Sequence, residues 1–405
     1  MIKMGTNSIK FSLFILFFII HSSLLIVHPS DRPVIGILTH PLESISLSKY
    51  SSSQFHYINY SRLRYTRNDI KLKHYSSSAS FIASSYVKSI ESSGSRVAPL
   101  LYNLTSEILI DQLSQLNGVL LTGGSASLEK NSHYRNSVEI ILNYVKTVNV
   151  QTQFTQQTTP LTHQMTYDKF EQQNNLITTQ QKNEISTEQD NISTTHYPLW
   201  GTCLGFEELL VITANRSTND VLSRLNSWNL PLSLHFNDRI FNSPIFSQSE
   251  YGPSIQSVVE DLSDDILNAT MHNHVFGVTI DTFNKIDKLY NNFDVLAVSN
   301  DRNNVEFISL IQWKDAVLPI YASQFHPEKV SFEWNSNQKQ CHSYRCIRAN
   351  RHFMDFFVEQ TRKNNHKIRS FPNGNNNDDR NRVRLIYEFE TVYTNSEFDE
   401  IYIFQ

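Results

Sequence analysis

Cys203 lies in Pro198-Leu199-Trp200-Gly201-Thr202-Cys203-Leu204-Gly205-Phe206-Glu207-Glu208, which passes from apolar, strand-like residues through a thiol into helix formers. This is the pattern of a nucleophile elbow, a sharp strand-to-helix turn whose crowded backbone needs small residues on both sides of the nucleophile. Gly201 and Gly205 provide them. A lone cysteine on an apolar strand is usually a packing residue, and the two glycines are what set this one apart. The helix that follows aims free N–H groups and a positive dipole end at the sulfur, which favours thiolate.

A thiol nucleophile needs a base, and Pro319-Ile320-Tyr321-Ala322-Ser323-Gln324-Phe325-His326-Pro327-Glu328-Lys329 offers one at the end of a second apolar strand. His326 and Glu328 fall on the same side of an extended chain, and Pro327 excludes helix between them. The carboxylate can then orient the imidazole, completing a set of nucleophile, base and orienting group. A third stretch, Gly118-Val119-Leu120-Leu121-Thr122-Gly123-Gly124-Ser125, is a buried strand that runs into two glycines. Backbone amides near Gly124, with that of Leu204, form a candidate oxyanion hole.

These three stretches, in this order, resemble the class I glutamine amidotransferase-like superfamily and, within it, the γ-glutamyl hydrolases, thiol peptidases that cleave folylpoly-γ-glutamates. The run Leu199 to Leu209 is similar to the hydrolase elbow along its whole length. Pro33 to Thr39, Ala83 to Lys88, Val305 to Ser309, and the late stretches Phe356 to His366, Leu385 to Phe389 and Tyr402 to Phe404 are also family-like. The resemblance implies Cys203 as nucleophile, His326 as proton carrier, Glu328 as its orienting partner and His272, in preference to His274, as a histidine beside the cleft. It implies a folylpoly-γ-glutamate substrate, a homodimer and no cofactor. Thr122 departs from the family, in which proline commonly precedes the paired glycines. A glutaminase-type amidotransferase domain and a catalytically silent binding protein on the same fold are the alternative readings.

Such a site needs a scaffold that brings strand ends together. Val34 to Leu38 reads as a strand, Ser80 to Ser92 as a helix from Ile82, Tyr86 and Ile90, with Gly94 as its stop. Val97 to Leu101 is the next strand, followed by a helix over Ser106 to Leu116 and the strand at Gly118. The alternation predicts an α/β fold of three layers, a mainly parallel sheet flanked by helices, of the class I glutamine amidotransferase-like, flavodoxin-like kind, with the active groups at the carboxyl ends of the strands.

The chain has 405 residues and a net charge of −4, which gives no electrostatic footprint for nucleic acid. Residues 1–28 read as a signal peptide, with Lys3 and Lys10 before and at the edge of the apolar run Phe11 to Ile20, too short for a stable membrane span. The hydrolase-like domain then occupies 29–405. Sequons at Asn59, Asn103, Asn191, Asn215 and Asn268 are glycosylation candidates. With the leader, they point to the secretory pathway, in a lysosome, a vacuole-like compartment or the extracellular space. Of the three cysteines, Cys341 and Cys346 remain to pair or to stay reduced; a continuous helix between them would hold their Cα atoms too far apart to bridge. No His or Cys cluster has metal-ligand spacing. Between 151 and 195, 25 of 45 residues are Gln, Thr or Asn, a composition that cannot bury enough surface to offset its ordering entropy and reads as a disordered insertion or, alternatively, a lid. Asn373 to Arg384 reads as a second polar loop.

Overall fold

The computed structural model describes residues 30–42, 76, 78–157, 196–247, 254–369, 382–394 and 397–405, and for 151–157 the backbone alone. The leader, Asn59, Asn191, residues 158–195 and residues 373–381 lie outside the described residues. In chain order the strands are β1 (Val34–Leu38), β2 (His40–Pro41), β3 (Ser80–Ala83), β4 (Arg96–Leu100), β5 (Gly118–Leu121), β6 (Leu199–Thr202), β7 (Ser223–Leu232), β8 (His235–Phe236), β9 (Thr270–Gly277), β10 (Phe293–Asn300), β11 (Glu306–Trp313), β12 (Ile320–Ser323), β13 (Thr391–Tyr393) and β14 (Glu400–Phe404). The helices are α1 (Ser84–Ser92), α2 (Ser106–Leu113), α3 (His133–Gln157), α4 (Leu204–Ala214), α5 (Thr218–Val221), α6 (Ile255–Ser263), α7 (Ile280–Lys285), α8 (Asp287–Asn292), α9 (Lys329–Phe332) and α10 (Tyr344–Arg362).

The main sheet has the order β4-β1-β5-β6-β12-β11-β10-β8. β4, β1, β5, β6 and β12 are parallel to their neighbours in that series, and β11, β10 and β8 continue the sheet antiparallel. The parallel strands are buried on both faces, as covered parallel sheets require. Because strand side chains alternate, each strand feeds two cores. Val34, Leu38, Val119, Leu121, Leu199 and Ile320 pack on one face with residues of α2, α3 and α4. Ile35, Ile37, Leu120, Trp200 and Tyr321 pack on the other with residues of α1, α6 and α10. Each such side chain, fully buried, contributes about 1.5–3 kcal/mol. The result is the three-layer α/β architecture expected from the strand and helix alternation.

Several local expectations are corrected. Ser80 to Ala83 is strand, and only Ser84 onward is helix, because Ser80-Phe81-Ile82-Ala83 pairs with the C-terminal strand β14, from Phe404 opposite Ser80 to Ile401 opposite Ala83. That partner lies more than 300 residues away and leaves no local mark. Ile386–Glu388, within the family-like stretch Leu385 to Phe389 that the resemblance implies to be a late strand, is a single 3-10 turn. α3 runs to Gln157, so the first residues of the polar insertion continue a helix. Gly94, with φ of 92°, closes α1 as its N–H reaches Glu91 O. Cys341 and Cys346 form a disulfide with Cα atoms 5.9 Å apart, since α10 starts at Tyr344 and leaves Cys341 outside the helix. Among the described residues no helix is long and apolar enough to cross a membrane.

Candidate active site

β6 and β12 end side by side, with Ser323 opposite Thr202. The register therefore delivers Cys203 and the segment leading to His326 to one edge of the sheet. Cys203 has φ of 51° and ψ of −102°, a conformation an L-residue holds only when its surroundings enforce it. Its N–H donates to Ser323 O at 2.8 Å. A Cβ at Gly205 would lie 2.5 Å from Leu121 O, and one at Gly201 would lie 2.8 Å from the Gly205 backbone. The two glycines thus let α4 approach β5 and β6 closely enough for the turn to form.

The thiol is 5% exposed. Burial pushes its pKa well above the ordinary value, and the carboxylates of Glu207 and Glu328 push in the same direction, while the N–H of Leu204 pulls it down. The amide at the start of α4 therefore acts as expected on the sulfur, but desolvation outweighs it. Burial thus works against the thiolate that the helix end favours, and a base beside the sulfur is needed to take its proton as it attacks.

His326 is placed to do so. Its N–H donates to Met271 O at 2.9 Å, fixing the backbone against β9. Its Nδ1 donates to Glu328 Oε1 at 2.7 Å, which leaves Nε2 as the basic lone pair. Nε2 is buried and, among the described residues, has no hydrogen-bond partner. Glu328 reaches the ring although it is not in extended chain; its φ of −69° and ψ of −33° are helical, and it opens α9. Pro327 turns the chain, and the carboxylate folds back.

Gly123 joins these groups. A Cβ there would lie 2.6 Å from His326 Cε1, 2.7 Å from the Tyr86 hydroxyl and 3.1 Å from Cys203 Cβ, so the imidazole, the phenol and the Cys203 side chain converge on the space beside its Cα. Tyr86, on α1, accepts the Gly123 N–H at 2.8 Å and lies 3.2 Å from His326 Nδ1. Burial, with Glu328 and Cys203 nearby, raises its pKa well above the ordinary value, so the phenol stays neutral. Gly124, the residue expected to supply the oxyanion amide, turns its Cβ direction away from the thiol toward the His40 ring. Leu204 keeps the expected place, with its amide at the sulfur.

Similarity to known proteins agrees with this geometry. The family model described as Glutamine amidotransferase class-I matches residues 132–338. The chain is 32% identical to Gamma-glutamyl hydrolase B of Dictyostelium discoideum, covering 97% of this chain and 89% of that protein. It is 32% identical to Probable gamma-glutamyl hydrolase 3 of Arabidopsis thaliana over 92% of this chain and 84% of that one, and 27% identical to the human Gamma-glutamyl hydrolase over 80% and 83%. The chain belongs to the γ-glutamyl hydrolase family.

Within this family member, the two histidines of β9 are wholly internal. His272 Nδ1 donates to His274 Nε2 at 3.0 Å, and His274 Nδ1 donates to Phe276 O at 2.7 Å. Burial lowers both, His274 to about 3. His272, expected beside the cleft, is fully buried and meets Phe307 and Phe325. Two carboxyls on α4 lie below the elbow. Glu207 accepts from Gln324 Nε2 at 3.0 Å, and burial raises both Glu207 and Glu208 to about 8. Tyr86 and Glu207 are the site residues that sequence reasoning missed. The described sequon residues Asn103 and Asn215 are exposed, whereas Asn268 is half-buried and donates from Nδ2 to Asp265 O at 2.7 Å. Among the described residues, no three His, Cys, Asp or Glu side chains are grouped to hold a metal.

Proposed function

We propose that this member of the γ-glutamyl hydrolase family is a thiol hydrolase that cleaves the γ-glutamyl amide bonds of folylpoly-γ-glutamates, with Cys203 as nucleophile. The observation that carries the reading is the arrangement at Gly123: a buried cysteine on a strained turn and an imidazole whose Nδ1 is held by a carboxylate, and whose Nε2 has no partner among the described residues, converge on the space beside its Cα. Cys203 Sγ attacks the γ-carbonyl carbon while its proton passes to His326 Nε2. The negative oxygen is met by the amides of Leu204 and Gly124. The C–N bond breaks as His326 returns the proton to the departing glutamate amine. Water then loses a proton to His326, attacks the thioester and frees the thiol. Glu328 holds the proton on Nδ1 and balances the imidazolium charge during both halves. No cofactor enters the scheme.

The test compares glutamate release from a folate diglutamate linked through the γ-carboxyl, the same compound linked through the α-carboxyl, and free glutamine. Cleavage confined to the γ-linked compound is the expected result. Ammonia from glutamine with the γ-linked compound left intact would favour the glutaminase reading instead.

The same reading places the protein in the secretory pathway, in a lysosome, a vacuole-like compartment or the extracellular space. The Cys341–Cys346 disulfide supports an oxidising compartment. Endoglycosidase treatment of the native protein should shorten it through glycans on Asn103 and Asn215; a cytosolic, unglycosylated product would contradict the placement.

A further inference from the structure

His40 is buried on the far side of the glycine turn from Cys203, and nothing in the reaction described above uses it. It follows β1 directly, at the carboxyl end of the strand beside β5. Only 1% of it is exposed. Its Nε2 lies 2.8 Å from Thr122 Oγ1 and 3.4 Å from the Tyr134 hydroxyl. The ring stacks on Tyr134 with centroids 4.6 Å apart and planes at 25°. A Cβ at Gly124 would fall 2.7 Å from Cε1, 2.8 Å from Nδ1 and 3.0 Å from Nε2. The imidazole is therefore flat against the Gly124 backbone, and no other side chain could replace the glycine hydrogen there without moving it.

Burial lowers His40 to about 4, so the ring is uncharged at neutral pH. A neutral ring makes its short bond through Nε2 to the Thr122 hydroxyl, with the Tyr134 hydroxyl farther off at the same nitrogen, without placing a charge beside the oxyanion. Its Nδ1 is buried with no hydrogen-bond partner among the described residues. An unpaired buried nitrogen carries a cost, and Nδ1 is one of the three ring atoms set against Gly124. On the opposite side, Tyr86 holds the Gly123 N–H. The Thr122-Gly123-Gly124 backbone is thus gripped from both sides, by Tyr86 toward the thiol and by His40 away from it.

We infer that His40 is a positioning residue for the hydrolase reaction: through its bond to Thr122 and its contact with Gly124, it fixes the orientation of the Gly124 amide, which with that of Leu204 receives the oxyanion. The inference rests on the proposed function for its reaction, and on the geometry alone for its mechanical part. A misaimed donor loses its benefit selectively in the transition state, where the oxygen becomes negative. The effect belongs in kcat and leaves substrate binding and the nucleophilicity of the thiol alone.

The experiment measures kcat and KM on a γ-glutamyl substrate for the native protein, His40→Phe, Thr122→Val and the double variant. Phe retains the ring against Tyr134 and Gly124 but cannot bond Thr122. Each single variant is expected to lower kcat about tenfold, the scale of one hydrogen bond, with KM within about twofold. The double variant should fall no further than either single one, since both remove the same bond. Thr122→Ser, which keeps the hydroxyl, should restore the native kcat. Alkylation of Cys203 by iodoacetamide passes through no oxyanion and should keep its native rate in all four proteins. A native kcat in His40→Phe, additive losses, or alkylation that falls with kcat would overturn the inference; the last would mean general loosening of the site. Should the native protein hydrolyse no γ-glutamyl bond, the functional reading fails separately. His40 is then read from the affinity for N-acetylglutamate γ-semialdehyde, whose blocked amine cannot cyclise, whose carbonyl carbon bonds to Sγ as the thiol proton passes to the base, and whose oxygen occupies the same amides. An about tenfold weaker affinity in His40→Phe would support the positioning role, and an unchanged affinity would overturn it.

Discussion

Gly123→Ala places a methyl group between base and nucleophile without touching the charge of either. The new carbon would stand 2.6 Å from His326 Cε1, 2.7 Å from the Tyr86 hydroxyl and 3.1 Å from Cys203 Cβ. Carbon atoms rest at about 3.5–4.0 Å, so the imidazole must retreat by about 1 Å or the turn must open by the same amount. A displacement of that size in a reacting pair costs on the order of 10²-fold in rate. The strain of the extra methyl in a packed interior adds a destabilisation of about 1–3 kcal/mol. The assay is kcat/KM for glutamate release, with iodoacetamide labelling of Cys203 and a thermal melt as companions. The expected outcome is a folded variant with a slightly lower Tm, a thiol that still labels, and a rate near 1% of native. A variant with activity within threefold of native and an unchanged Tm would show that Gly123 does not separate the two groups, and the site geometry would be wrong.

Glu328→Gln keeps the shape of the carboxylate but removes its charge and can present an amide N–H to His326 Nδ1, so kcat should fall by about 10² or more, with the melt little changed; a loss below threefold would remove Glu328 from the orienting role. Glu207 and Glu208 are raised to about 8 by burial, so the native state holds their protons where the unfolded chain has released them. Stability from these groups is greatest below the ordinary carboxylate range and declines as pH rises toward 8. At pH 6.5 the unfolded chain still holds about half of its histidine protons, whereas the buried His40, His196 and His274, lowered to about 4, 4 and 3, hold almost none, so denaturant midpoints should fall with pH only above about pH 7.5, and Glu207→Gln with Glu208→Gln should flatten that decline. At the acid end the sign reverses: those histidines bind protons in the unfolded chain first, and stability should fall as pH drops from 6.5 toward 3. Removing the disulfide by Cys341→Ser with Cys346→Ser opens a loop with a sequence separation of 5, worth about 2 kcal/mol in the chain-entropy account; a Tm several degrees lower with kcat retained is expected, and an unchanged Tm would contradict it.

The elbow was legible because its requirement is local. A nucleophile at φ of 51° can exist only where the neighbours are small, and Gly201 and Gly205 flank it in the sequence itself. The buried parallel strands were legible for a similar reason, as unbroken apolar runs at β1, β5 and β6. What stayed hidden depends on partners far along the chain. Tyr86 meets His326 across 240 residues, and a tyrosine on a helix carries no sign of such a contact. Ser80 to Ala83 took strand form from β14, at the opposite end of the chain. Gly123 and Gly124 are adjacent, and only the backbone path of the turn decides which faces the thiol and which faces His40. Glu328 was paired with His326 for an insufficient reason, since it reaches the ring from a helical turn where extended chain was expected. The opposition of burial to the thiolate stayed hidden because helix-end electrostatics can be read from sequence whereas depth of burial cannot. Thr122, the departure from the family pattern, has a structural role in its bond to His40.

The central claim is that Cys203 carries the reaction as a nucleophile on a γ-glutamyl carbonyl. It is tested most directly by incubating a folate polyglutamate with the native protein and with Cys203→Ala, the two matched by thermal melt, and counting glutamate released per protein molecule. Turnover by the native protein and none by the variant is the predicted result. Equal release by the two, or none from a folded native protein, would contradict the account.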